Sequence, residues 1–335
     1  MELDPRIRTY SDIGSFAFGA RGSLFISVLF CIELVAVLSM YLTLMGDSLE
    51  TLIGGQWTRS CLTAATALLV LPTCWTSQLN LLSHLSIIGI ISSLLLVLAL
   101  INTGFTTPRY GPGSFYNVSN LVAFNSMSNI PYAVGLEISG FAGHAVFPSI
   151  YDSLTVKNDF PSLINWVYVS CSLLYMTMAL MGYFLFSSWT KEELTLNLYD
   201  VAGDSFVVKF TVLLMVVNPF TKFALTLNPL ASIIEQIVLP GEDSRGYKSK
   251  FLRSILTGIA LLLALTLPSF ASICAFIGAF CSFIVSVIFP LFCYLKLYRD
   301  RLSGAEILFL KGLIALNSIL CIVGTAAVPF GPQTP

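Results

Sequence analysis

Apolar residues run along this chain in long, nearly unbroken blocks separated by short polar connections, and nine blocks read as membrane-spanning helices. They fall near 23–47, 60–78, 84–105, 130–153, 162–187, 205–227, 252–267, 269–295 and 305–328. Most reach the roughly 20 residues that a helix needs to cross a hydrocarbon core of about 30 Å. In lipid a segment must satisfy its own backbone hydrogen bonds, so such blocks fold as helices. The pattern predicts an all-α polytopic membrane protein with a polar segment over 1–22, a single transmembrane domain over 23–328 and a short tail over 329–335. Only Leu267 and Pro268 part the seventh block from the eighth, which predicts a tight helical hairpin there.

Composition sharpens this. The 335 residues are 56% hydrophobic and 10% charged, with a mean hydropathy of +0.84. A soluble domain carries about 25% charged residues. The net charge of −1 gives no sign of a nucleic-acid partner. Eight cysteines lie mostly inside apolar blocks, with no CxxC pair and no Cys/His cluster, and read as small packing residues. No nucleophile motif, phosphate-binding glycine loop or nucleotide-binding domain is found, which argues against an embedded enzyme and an ATP-driven pump. No cofactor or metal is implied. An Arg-rich voltage-sensing block and a TVGYG-like filter are also missing.

Loop charge sets an expected orientation. Arg6, Arg8, Arg21, Lys157, Arg245, Lys248, Lys250, Arg253, Lys296, Arg299 and Arg301 fall on one side, and Arg59, Arg109 and Lys191 on the other. This bias predicts a cytosolic N-terminus. The sequon Asn117-Val118-Ser119 falls on the opposite side and is a candidate glycan site.

Candidate chemistry concentrates in the fourth block, which contains GFAGHAVFPSIY over 140–151. Pro148 has no N–H to offer the His144 carbonyl, and Gly140 and Gly143 lower the cost of leaving helical geometry. A non-helical stretch at membrane depth is tolerated where it lines a cavity, and its N–H and C=O groups can then hold a zwitterion or ion. Glu137, Gly140, His144, Phe147 and Tyr151 are spaced to share one face of a continuous helix. The same pattern also suits a kinked packing helix. In the sixth block, NPFTKFALTLNPL over 218–230 carries Pro219 and Pro229, which free the carbonyls of Met215 and Leu225, together with hydroxyls on Thr221 and Thr226. Lys209 and Lys222, near its two ends, read as snorkelling residues. Glu33 lies about 15 Å into the first block by helical rise. A carboxylate there costs several kcal/mol unless it is paired, protonated or hydrated, so it is a candidate for proton linkage.

Three segments together, TYSDIGSFAFG (9–19), IPYAVGLEISGFAGHAVFPSIY (130–151) and NPFTKFALTLNPL (218–230), resemble the amino acid/auxin permease family, and most closely its vacuolar amino acid transporters. The resemblance covers nearly the whole chain. It implies proton-coupled secondary active transport of amino acids across the vacuolar membrane by alternating access, on a five-plus-five inverted-repeat fold with an eleventh helix. It implies substrate contacts from Ser139, Gly140, Gly143 and His144, a cavity shaped by Phe147 and Tyr151, Thr221 facing the site, and proton linkage through Glu33 and His144. The partners are then an amino acid, protons and the bilayer. Aligned by these motifs, the first block corresponds to the family's third helix, so two helices of the family pattern have no counterpart here. That departure keeps a second expectation open, a non-transporting regulatory or interaction protein such as an amino acid sensor.

Overall fold

A computed structural model describes residues 9–75, 79–108, 112–117, 127–144, 147–203, 205–239, 246–267 and 269–331. Helices α1 (Tyr10–Phe18), α2 (Ala20–Ile53), α3 (Arg59–Cys74), α4 (Leu79–Thr106), α5 (Ile130–Ser139), α6 (Phe147–Ser153) and α7 (Phe160–Phe186) make up the first half. Then follow α8 (Leu194–Ala202), α9 (Phe206–Val238), α10 (Tyr247–Thr266), α11 (Phe270–Phe276), α12 (Phe289–Leu297) and α13 (Gly304–Ala327). A π-helical stretch, Ile277–Ile288, joins α11 to α12 without a break. No strand occurs among the described residues.

Among the described residues, seven helices are long and apolar enough to cross a membrane, including Ala20–Ile53, Phe206–Val238 and Phe270–Leu297. Two of the nine apolar blocks behave differently. The block near 60–78 gives the 16-residue α3, and the block near 130–153 is split into α5 and α6. Pro268, in the seventh-to-eighth connection, lies outside the described residues, as do Val118 and Ser119 of the sequon.

The chain resolves into two compact units. The first contains residues 1–36, 126–166 and 271–333, and the second contains 37–125 and 167–270. In the first, the polar N-terminal segment folds as α1, opened by a capping box in which the Thr9 hydroxyl accepts from the Asp12 N–H at 3.2 Å and the Asp12 carboxylate accepts from the Thr9 N–H at 2.8 Å. Gly19, at φ 68°, makes the turn into α2, and the Ser11 hydroxyl bonds those of Ser23 and Ser27 at 2.7 and 3.0 Å. Ala17, Ile26 and Leu29 pack with Val285, Phe289 and Cys293. The Tyr10 hydroxyl donates to the Val285 carbonyl. In the second unit, Leu96, Ala99 and Leu100 of α4 pack with Leu185, Phe186, Leu198 and Val208.

Large apolar side chains such as Phe25, Leu68, Trp166, Leu262 and Leu308 are exposed, whereas Glu33, Thr43, Ser92, Arg253 and Ser282 are buried. Large apolar side chains on the exterior and polar groups inside suit lipid rather than water. Several helix hydroxyls bond a carbonyl one turn back in their own helix: Thr63 to Arg59, Thr211 to Val207, Thr257 to Arg253 and Ser318 to Ile314, at 2.7–2.9 Å.

Candidate functional site

The fourth block breaks where its glycines allow it. After Ser139 the helical bonds tighten, with Gly140 N–H donating to Glu137, Phe141 to Ile138 and Ala142 to Ser139 at 3.0–3.2 Å. Gly143 follows at φ 147°, a backbone angle that side chains with a Cβ rarely adopt. No neighbour lies within 4 Å of a Cβ built there, so backbone freedom and not space calls for glycine. Pro148 is the second residue of α6, where its missing N–H has no helical partner to lose. It therefore opens the second helix instead of kinking a continuous one, and the shared face expected of Glu137 through Tyr151 is interrupted. Glu137 is exposed on α5.

The candidate residues of the first unit gather around this break. The Ser139 hydroxyl donates to Leu136 O at 2.6 Å, which leaves its oxygen free to accept. The His144 ring lies 4.8 Å from that of Phe147. Phe147 and Tyr151 both meet Phe160 edge-on, at 6.2 and 5.3 Å between centroids. The Lys157 ammonium stands 5.2 Å from the Tyr151 ring. α5 is anchored against the π-helical stretch by a glycine pair: a Cβ on Gly278 would overlap the Gly135 carbonyl oxygen. On α2, Glu33 is 6% exposed and accepts from the Ser282 hydroxyl at 3.4 Å. The break and the buried acid are thus held by the same helix, through Gly278 and through Ser282.

Thr221 belongs to the second unit. It is buried on α9, and its hydroxyl donates to Asn218 O at 2.8 Å. α9 runs through both Pro219 and Pro229 as one helix. Lys222 is half-buried against α4: a Cβ on Gly89 would lie 3.2 Å from its Nζ and 2.8 Å from Asn218 Oδ1.

Sequence reasoning missed two charged clusters of this unit. Arg253, counted above among loop charges, is 3% exposed. Its guanidinium bonds Glu235 Oε1 at 3.0 Å, the Cys74 carbonyl at 3.2 Å and Asn228 Oδ1 at 2.5 Å, and so ties α3, α9 and α10 together. At the other cluster Arg59 pairs with Asp47 at 2.5 Å, and Glu193 is buried beside them. A charge inside or next to an apolar block was the available signal, but the partners lie on other helices.

The described residues form an all-helical polytopic membrane protein with a glycine-broken helix and a buried acid, and among them no group of three or more His, Cys, Asp or Glu side chains could hold a metal ion. The chain belongs to the transmembrane amino acid transporter protein family, whose model matches residues 1–330. Its relatives include three Arabidopsis thaliana proteins. It is 35% identical to amino acid transporter AVT1E over 96% of this chain and 61% of that protein. For AVT1D the identity is 34%, over 92% and 56%, and for AVT1C 32%, over 97% and 59%. The chain spans about six-tenths of the length of these relatives.

Proposed function

We propose that this protein moves amino acids across the vacuolar membrane, coupled to protons, by alternating access. The observation that carries the reading is the helix break from Gly140 to His144 inside a chain of this family. Backbone groups released at a break can coordinate the ammonium and carboxylate of a zwitterion without a full counter-charge. Ser139, Gly140, Gly143 and His144 then contact substrate, and Phe147 and Tyr151 shape or gate the cavity. On α9, Thr221 is assigned to substrate by the family resemblance. Glu33 and His144 are the proton-linked groups; protonation favours one conformation only if the two states bind the proton with different affinity. The site candidates include no arginine, which favours neutral amino acids. The charge bias supports a cytosolic N-terminus, and Asn117 is the candidate glycan position.

The test is uptake of labelled neutral amino acids into proteoliposomes bearing an imposed proton gradient. Accumulation that collapses with a protonophore supports the reading. Accumulation that survives the protonophore removes proton coupling, and no uptake of any amino acid removes transport.

A further inference from the structure

Four acidic side chains and one guanidinium meet in the second unit where α2 ends, α3 begins and the chain enters α8. Gly46 of α2 lies so close to Thr63 of α3 that a Cβ would overlap the Thr63 hydroxyl. This tight crossing sets Asp47 against Arg59, with Nε 2.5 Å from Oδ1 and Nη2 3.3 Å from Oδ2. Glu193 arrives from the α7–α8 connection. It occupies the N-cap of α8, yet its carboxylate makes no cap bond. Asn197 fixes the connection in place, accepting from the Lys191 N–H at 2.8 Å and donating to the Trp189 carbonyl at 2.7 Å.

The result is a carboxyl group with nowhere to go. Glu193 is 6% exposed, and among the described residues neither of its oxygens has a hydrogen-bond donor. Asp47, held against Arg59 at the α2–α3 crossing, is the acid that acts on it most strongly. Two carboxylates can only accept, so they repel; a carboxyl and a carboxylate can bond through one proton. The surrounding charges strengthen the need. Glu50 and Glu192 add negative charge beside Asp47, and Glu192 also acts on Glu193. Lys191 is engaged by Asp200 at 2.5 Å. Arg59 is the cation that acts on both carboxyls.

We propose that Asp47 and Glu193 share one proton and so form a proton-binding site, with Arg59 balancing the charge that remains. Burial first, and then the charges of Asp47 and Glu192, hold the Glu193 carboxyl well above the ordinary glutamic acid range. With the proton in place the three groups sum to zero. Its loss leaves one net negative charge in a buried space, with Glu50 and Glu192 nearby. The site stands on this geometry and not on the transport reading, since none of its residues belongs to the broken helix.

Infrared difference spectroscopy tests this on the full chain purified into lipid nanodiscs and titrated from acid to alkaline pH. The wild type is expected to lose the carbonyl stretch of a buried carboxylic acid as pH rises. Glu192→Gln is expected to keep that band, and Glu193→Gln to abolish it. Asp47→Asn leaves Glu193 in place and is expected to shift or remove the band, which gives a second reading should Glu193→Gln fold poorly. A band unaltered by Glu193→Gln or by Asp47→Asn overturns the proposal, as does a wild-type spectrum without such a band.

Discussion

Gly278 and Gly135 meet backbone to backbone: a Cβ on Gly278 would overlap the carbonyl oxygen of Gly135 and stand 2.8 Å from the backbone nitrogen of Ser139. Small residues let membrane helices approach in this way. The obstructing atoms are backbone and cannot swing aside. Gly278→Ala is therefore expected to destabilise the protein by at least the 1–3 kcal/mol or so that overpacking costs, and to disturb Ser139 at the edge of the break. Gly258 of α10 has nothing within 4 Å, so Gly258→Ala is expected to stabilise by about 0.5–1 kcal/mol. Thermal unfolding in detergent, followed by retention of monodisperse protein, separates the two.

Gly143→Ala carries a different expectation, because its cost is conformational. The added methyl meets no atom within 4 Å, but φ 147° is unfavourable for alanine, by about 1–3 kcal/mol. The strain falls on the break itself, so uptake is expected to fall while membrane abundance stays near wild type. Uptake equal to wild type would show that the break does not need this backbone angle.

His144→Ala and Glu33→Gln test the two proton candidates separately. His144→Ala is expected to cut uptake without loss of protein from the membrane. Glu33→Gln keeps a hydrogen-bonding group opposite Ser282 and is expected to retain amino acid exchange while losing the response to a pH gradient. Gradient-driven uptake that persists at the wild-type level in either variant removes that residue from the coupling.

Arg253→Ala is expected to be among the most damaging single changes in the second unit. It leaves Glu235 and Asn228 without their guanidinium partner in a buried setting, and breaking such a pair costs about 3–5 kcal/mol. Replacing Arg253 and Glu235 together with methionine and leucine is expected to recover much of the loss. A double variant no more stable than Arg253→Ala would show that the cost lies in the Asn228 and Cys74 contacts.

Stability is also expected to depend on pH through Glu193. Its carboxyl is held above the ordinary value of 4.5 in the folded protein. The folded state therefore binds the proton more tightly than the unfolded chain. The contribution is complete below the ordinary value and is lost as pH rises through the folded one. Melting temperature measured against pH should decline on the alkaline side, and Glu193→Gln should remove that component. A slope unchanged by the substitution would assign it to another group.

Much of this was legible in the residues. The apolar blocks announce helices because lipid leaves the backbone no other partner, and Gly140, Gly143 and Pro148 announce that one block cannot be a regular helix. Where the break falls was less visible. Pro148 was readable as a kink but opens α6, and the turn itself rests on Gly143. Partnerships were the hidden part. Arg253 and Glu235 are 18 residues apart but on different helices, so periodicity within one helix does not relate them. Glu193 lies in a polar connection with nothing local to mark it, and Asp47 and Arg59 meet only through the Gly46–Thr63 crossing. The π-helical stretch carries no local signature beyond Gly278, because its register is set by what packs on it.

The hydroxyls bonded to their own helices bear on how the protein is made. A threonine such as Thr63, Thr211 or Thr257 brings its acceptor with it, so each helix can leave the ribosome and enter the bilayer without waiting for a neighbour. Glu33 cannot, since Ser282 arrives only on the helix that follows α10, whereas Arg253 enters after its α9 partner Glu235 has already been delivered. Biogenesis is thus divided in time: the hydroxyl-bearing helices are ready at insertion, and Glu33 is settled only when the last third of the chain has been delivered.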